Sequence, residues 1–279
     1  MTENNTQTEV LRVSNARPML KVQELHHVYG SKAKAYTALD SVSFEVRTGE
    51  LVSIVGPSGS GKTTLLRLLA GLIVPTSGLI EVDGRKVTGV PAELAMVFQD
   101  YGRSLFPWLT VGANIRFPLT RLRLGKSEVN HRIQESLKAV GLAGAESKSP
   151  WQLSGGMQQR VAIARALAYQ PSLLLMDEPF ASVDAQTRSD LQDLVLSVRR
   201  EFEITIGFVT HDIDESVYLA DRIVVLSSPP TRVAAEFIVD LPRDRDQIST
   251  RELDNFVSLR GEVARVIRGM SEPSKQLDA

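Results

Sequence analysis

"ELVSIVGPSGSGKTTLLRLLAGL", residues 50–72, decides the fold of this chain. Its first part, through Val55, is a near-continuous apolar run of the kind that fills the buried centre of a parallel sheet. Its last part, "TTLLRLLAGL", reads as a helix. The turn between them, "GPSGSGKTT" from Gly56 to Thr64, matches the pattern G-x-x-x-x-G-K-[ST] without deviation. The residue types follow from the chemistry of holding phosphate. Glycines let successive backbone N–H groups turn inward where side chains would collide, and the N-terminus of the helix adds partial positive charge. Gly56, Pro57, Ser58, Gly59, Ser60, Gly61, Lys62, Thr63 and Thr64 are therefore read as a nucleoside triphosphate site. In it Lys62 neutralises the β- and γ-phosphates and the Thr63 hydroxyl is offered to Mg²⁺.

Working outward, three more apolar runs read as sheet strands: "LAMVFQ" at 94–99, "SLLLMD" at 172–177 and "TIGFVT" at 205–210. Open α/β sheets place ligands at the carboxyl ends of their strands, and each of these runs ends in polar chemistry. Asp177 is the expected Mg²⁺ partner, and Glu178 next to it is the candidate base that orients and deprotonates water. Gln99 is read as ending its strand, where it would hold the metal or the water. His211, just after its strand, would donate to a γ-phosphate oxygen. Upstream, "LKVQELHHVY" and "LDSVSFEVRTGE" have the β-branched content and alternation of antiparallel strands with one wet face. Between Gln99 and Ser172 the pattern turns helical: Val129, Ile133, Leu137 and Val140 recur at helical spacing, and Gly141 is a natural stop. A second stripe runs through Leu191, Leu194, Val195, Val198 and Phe202. The fold expected is α/β: a P-loop NTPase core with a mainly parallel sheet, an N-terminal antiparallel β-subdomain and an inserted α-helical subdomain at about 100–168.

Composition narrows the alternatives. Among 279 residues, 32 Lys and Arg against 33 Asp and Glu leave a net charge of −1 with no long basic run, so composition offers no support for the basic face that sequence-independent nucleic-acid binding needs. With no cysteine, disulfides, thiolate zinc sites and thiol nucleophiles are excluded, in keeping with a reducing compartment. The first twenty residues lack the layout of a secretory signal. The most apolar stretch, "LLRLLAGLIV", is interrupted by Arg67 and falls short of the roughly 18 apolar residues of a membrane span.

One motif has no catalytic partner in reach: "LSGGMQQR" at 153–160, a serine and two glycines leading into a helix. In order, Gly56–Thr63, Gln99, "LSGGM" at 153–157, "LLLMDEP" at 173–179, "SVD" at 182–184 and His211 resemble the ATP-binding subunit of an ATP-binding cassette (ABC) transporter, over about residues 20 to 240. The resemblance implies two subunits packed head to tail as a homodimer, each ATP lying between one subunit's P-loop and the other's signature. Ser154, Gly155 and Gly156 would then bind the γ-phosphate in trans, the serine capping the helix and the glycines admitting close approach. It also implies that Tyr29 stacks on adenine, the alternative being rim packing, that Asp184 couples the two sites, and that Gln99 senses the membrane subunits. The cofactors implied are ATP and Mg²⁺. Met157 stands where the wider family commonly has Gln, and "SVD" replaces the commoner "SALD"; neither removes a catalytic group. The division expected is a polar flexible tail at 1–18, an ATPase domain at 19–240 and a C-terminal extension at 241–279.

"PWLTV" at 107–111, with "LSGGMQQR" and "VTHDIDESVYLADRIVVL", resembles importers of the nitrate, sulfonate, taurine and bicarbonate group, which also includes importers of pyrimidine-type vitamin precursors. The partners implied are integral membrane permease subunits and, indirectly, an extracytoplasmic solute-binding protein, with no nucleic acid. The protein would lie in the cytoplasm, peripheral on the inner face of the cell membrane. Phe106 and Trp108 either line a groove for a cytoplasmic helix of the permease or pack inside the helical subdomain. Only about fifty residues follow "IVVLSS", too few for the large C-terminal regulatory domain of many sugar importers. The competing readings are a soluble ABC ATPase acting on nucleic acid or ribosomes and an exporter subunit. The first usually carries two cassettes, long coiled-coil insertions or zinc-binding cysteines; the second is often fused to membrane spans.

Overall fold

The computed structural model describes residues 17–30 and 34–271. Most of the expected tail, and the last residues of the C-terminal extension, lie outside the described residues. The chain divides into two compact units, Met1–Pro91 with Val209–Ala279, and Ala92–Phe208.

In the first unit, β1 (Pro18–Tyr29) and β2 (Tyr36–Arg47) pair antiparallel, with β4 (Ser77–Val82) on the other side of β1 and the short β5 (Arg85–Lys86) at the edge. Alternation along β2 puts Val42, Phe44 and Val46 inward and leaves the intervening positions wetter, as the sequence pattern requires. The apolar run ahead of the phosphate loop is β3 (Leu51–Val55), with all five residues buried. It pairs parallel with β9 (Arg222–Leu226), and β10 (Val233–Ile238) runs antiparallel along β9. Helix α1 (Lys62–Leu69) follows β3 and buries Leu65, Leu66, Leu68 and Leu69.

Arg222 ties this unit together. Its guanidinium reaches Glu50 at 2.8 and 3.0 Å and Glu236 at 2.5 Å. Burial alone would favour the neutral form, but the two carboxylates outweigh it and hold the side chain charged.

The C-terminal extension contains a helix docked on this unit. Helix α8 (Asp254–Ser271) buries Phe256 and Val263, and Arg251 stacks on the Tyr218 ring at 4.8 Å from its centroid. Tyr218 belongs to α7 (Ile213–Leu219), so a cation over an aromatic face helps dock the extension on the unit.

The second unit holds β6 (Leu94–Val97), β7 (Leu173–Asp177) and β8 (Thr205–Val209) in the order β8–β7–β6, with β6 and β7 parallel. Its helices are α2 (Tyr101–Ser104), α3 (Val111–Leu119), α4 (Lys126–Ala139), α5 (Gly155–Ala168) and α6 (Ala185–Phe202). The predicted stripe of α4 is buried at Val129, Ile133 and Leu137, and Gly141 stops the chain at φ +70°. In α6 the stripe is buried from Leu191 to Val198, while Phe202 at its end is half-buried.

Candidate active site

The phosphate loop lies between β3 and α1 in the first unit. Gly59 and Gly61 take φ +77° and +73°, values that favour glycine. Gly56 is needed for a different reason: a Cβ there would fall 2.8 Å from the Leu226 carbonyl and 2.9 Å from Ser60 Oγ. Lys62 is buried, and its ammonium donates to the carbonyls of Gly56 at 2.8 Å and Pro57 at 2.9 Å, which holds the charge over the loop. Thr63 is exposed at the helix start, and the Thr64 hydroxyl lies 3.3 Å from the Tyr29 phenol oxygen. Tyr29 is 39% exposed at the end of β1, and its ring is packed edge-on against buried His27 at 4.6 Å. Burial, with a smaller contribution from His26, lowers the His27 pKa and so favours the neutral imidazole. His211, also in this unit, is exposed in the bend after β8.

The second unit carries the acidic motif, the signature and Asp184. Asp177 is the last residue of β7 and is buried. Glu178 follows at φ +42°, an uncommon backbone for a residue with a Cβ and one that collects at functional sites. Gln99 donates from Nε2 to Glu178 Oε2 at 3.2 Å, so these two predicted residues are brought together. One expectation needs correction: β6 stops at Val97, and Gln99 lies two residues further on, in a bend rather than at the strand end. Beyond Val97 the chain no longer pairs with β7, and Phe98 is 43% exposed, so the apolar run outlasts the sheet.

The signature opens α5 as an N-capped helix, with Ser154 Oγ accepting from the Met157 N–H at 3.3 Å. Ser154 and Gly155 are exposed, but Gly156 is buried against α6. A Cβ on Gly156 would come within 2.3 Å of Thr187 Cγ2. Thr187 in turn donates from its N–H and hydroxyl to Asp184, at 3.0 and 2.7 Å, capping α6 and lowering the Asp184 pKa. The signature helix and the cap at Asp184 therefore share one side chain.

Several contributors have no motif to announce them. The buried Gln159 of α5 donates to the Pro179 carbonyl at 2.7 Å, one residue past Glu178. Arg165 bonds Ser104 O at 2.6 Å and Ser104 Oγ at 3.0 Å. Asn114, fully buried, accepts from Phe106 N–H at 2.8 Å and donates to the carbonyls of Phe106, Leu109 and Thr110. That clamp fixes the loop bearing Trp108, which is 74% exposed, while Phe106 is half-buried against Phe117 at 4.7 Å.

The donor set fits a nucleotide carrying Mg²⁺. Among the described residues, no three His, Cys, Asp or Glu side chains cluster as a protein cage for a metal. Mg²⁺ commonly has few protein ligands and binds through substrate phosphates, which suits the exposed Thr63 hydroxyl at the end of the phosphate loop.

A strand–glycine loop–helix with a buried lysine over its carbonyls defines a P-loop nucleotide-binding protein. Residues 39–181 match the family model described as ABC transporter, and the chain belongs to that family as an ATP-binding ATPase. The nitrate import ATP-binding protein NrtD of a Synechocystis species is 42% identical over 255 residues, covering 90% of this chain and 95% of the relative. The aliphatic sulfonates import ATP-binding protein SsuB of Bacillus licheniformis is 43% identical, covering 82% and 88% respectively. Among solved structures, a dimeric post-hydrolysis ATP-binding cassette bound to ADP and Pi is similar at TM-score 0.70 and 33% identity, with 79% of this chain and 99% of that one covered.

Proposed function

We propose that the chain energises an ABC importer for a small anionic or vitamin-precursor solute, acting as a head-to-tail homodimer on the cytoplasmic face of a permease that is served by an extracytoplasmic solute-binding protein. The observation that carries the ATPase reading is the Lys62 ammonium held at 2.8–2.9 Å over the carbonyls of a fully matched phosphate loop. The importer reading is supported by relatives named for nitrate and sulfonate import. It agrees with an exposed Trp108 on a clamped loop, and no helix among the described residues is long and apolar enough to cross a membrane.

In this reading the loop amides and Lys62 bind the β- and γ-phosphates, and Tyr29 receives the adenine. Thr63, Asp177 and Gln99 hold Mg²⁺, which neutralises phosphate charge when bound. Glu178 takes the proton of the attacking water, its carboxylate oriented by the Gln99 amide. His211 donates to a γ-phosphate oxygen. Ser154, Gly155 and Gly156 meet the γ-phosphate of the ATP on the partner protomer, with Asp184 coupling the two sites.

Capture of the Glu178→Gln variant from native membranes in ATP tests the reading. An integral membrane permease recovered together with an extracytoplasmic binding protein is the expected result. Exclusively soluble or nucleic-acid partners would overturn it.

A further inference from the structure

Thr231, between β9 and β10, is fully buried, and its hydroxyl donates to the Ser60 carbonyl of the phosphate loop at 2.9 Å. Its backbone is fixed on both sides by β2. The Thr231 carbonyl accepts from Asp40 N–H at 2.8 Å, and the Thr231 N–H reaches the Ala38 carbonyl at 3.3 Å. The next residue, Arg232, pairs with Asp40 at 2.5 Å. The threonine is thus a rigid post whose hydroxyl points at one peptide group of the loop.

That peptide joins Ser60 to Gly61. In a planar trans peptide the N–H points opposite to the C=O, so holding the Ser60 carbonyl toward Thr231 turns the Gly61 N–H the other way. A Cβ on Gly61 would lie 3.2 Å from Leu39 Cδ2, 3.4 Å from the Ala38 carbonyl and 3.5 Å from Thr231 Oγ1, so the β2–Thr231 layer flanks this peptide on the side away from the presented N–H. Ser60 is itself fully buried, and its N–H is already turned back to the Pro57 carbonyl at 3.1 Å.

We propose that Thr231 is a positioning residue for nucleotide binding: its hydroxyl fixes the Ser60–Gly61 peptide so that the Gly61 N–H is presented to a nucleotide phosphate. This rests on reading Gly56–Thr64 as the nucleotide site. Thr231 touches no substrate, and its effect passes through one backbone amide. Removing the hydroxyl should therefore weaken phosphate recognition and leave recognition of the base and ribose alone.

The test is equilibrium binding of two fluorescent ribose derivatives, trinitrophenyl-ATP and trinitrophenyl-AMP, to the full chain and its Thr231→Val, Thr231→Ser and Lys62→Ala variants. For Thr231→Val the ATP probe should bind about 5–10-fold more weakly, the scale of one hydrogen bond, while the AMP probe stays within about twofold. Thr231→Ser keeps the donor and should restore ATP-probe affinity to within about twofold of the parent. If Thr231→Val does not fold, Thr231→Ala carries the same expectation. Unchanged ATP-probe affinity, equal losses on both probes, or failure of serine to rescue would overturn the role of Thr231. Unchanged affinity in Lys62→Ala would instead overturn the reading of the loop, whatever the Thr231 variants do.

Discussion

Gly156→Ala puts the contact between the signature helix and α6 to a quantitative test. The added methyl would sit 2.3 Å from Thr187 Cγ2, more than 1 Å inside ordinary carbon contact. Two routes relieve the clash. The helices move apart, at the typical overpacking cost of about 1–3 kcal/mol. Alternatively Thr187 rotates and gives up its 2.7 Å bond to the exposed Asp184 carboxylate, loosening the cap of α6. Relief by helix separation sets the expected loss in urea unfolding at roughly 1–3 kcal/mol. Thr187→Ser removes only Cγ2 and keeps the hydroxyl on Asp184. The remaining contacts of the new methyl, at 3.7 and 3.8 Å, are ordinary. The double variant Gly156→Ala/Thr187→Ser should therefore recover at least about 1 kcal/mol over Gly156→Ala alone, helped by alanine's better helix propensity. A double variant as unstable as Gly156→Ala would refute the argument, because the clash would then not be with Cγ2. Stability is the readout here so that packing is scored apart from any part Gly156 plays in binding.

Glu178→Gln should retain ATP binding but hydrolyse about 10²–10⁴-fold more slowly, the span of a lost general base; steady-state phosphate release checks it, and near-parental turnover would remove Glu178 from that role. Glu50→Ala leaves the guanidinium of Arg222, 15% exposed, with only the partly exposed Glu236 as its carboxylate partner, and should cost about 3 kcal/mol in denaturant unfolding. For His27, whose folded pKa is lowered, the unfolded chain binds more protons. Stability should therefore fall as pH drops below the ordinary imidazole value of about 6.5 and go on falling toward the folded pKa. His27→Phe should flatten that slope below about pH 6.5 relative to the parent, and identical slopes would place His27 outside the effect.

How much could be read in advance depended on where each group's partners lie. The phosphate loop is contiguous, so strand, glycines, lysine and helix are all visible within residues 50–72. The apolar runs around Asp177 and His211 likewise mark strands because they are buried from both faces. Thr231, Asn114 and Gln159 are invisible for the opposite reason. Each acts on a backbone carbonyl or amide, groups that every residue carries, and Thr231 is 171 positions from its target. Only the folded chain says which one is met. Gln99 was misplaced by two residues because an apolar pattern does not show where pairing ends. Helix α8 went unread because the prolines and charges of "LPRDRDQ" just before it obscured the spacing of Phe256 and Val263.

The Lys62 ammonium has one further consequence. With its protons already engaged by its own loop, nucleotide arrival becomes an exchange of ligands on a fixed cation, carbonyl oxygens giving way to phosphate oxygens. The part of the affinity that Lys62 supplies is then the margin by which phosphate outcompetes two backbone dipoles. A margin set by a difference between two good solvation shells can stay small, so spent nucleotide can leave and the cycle can repeat.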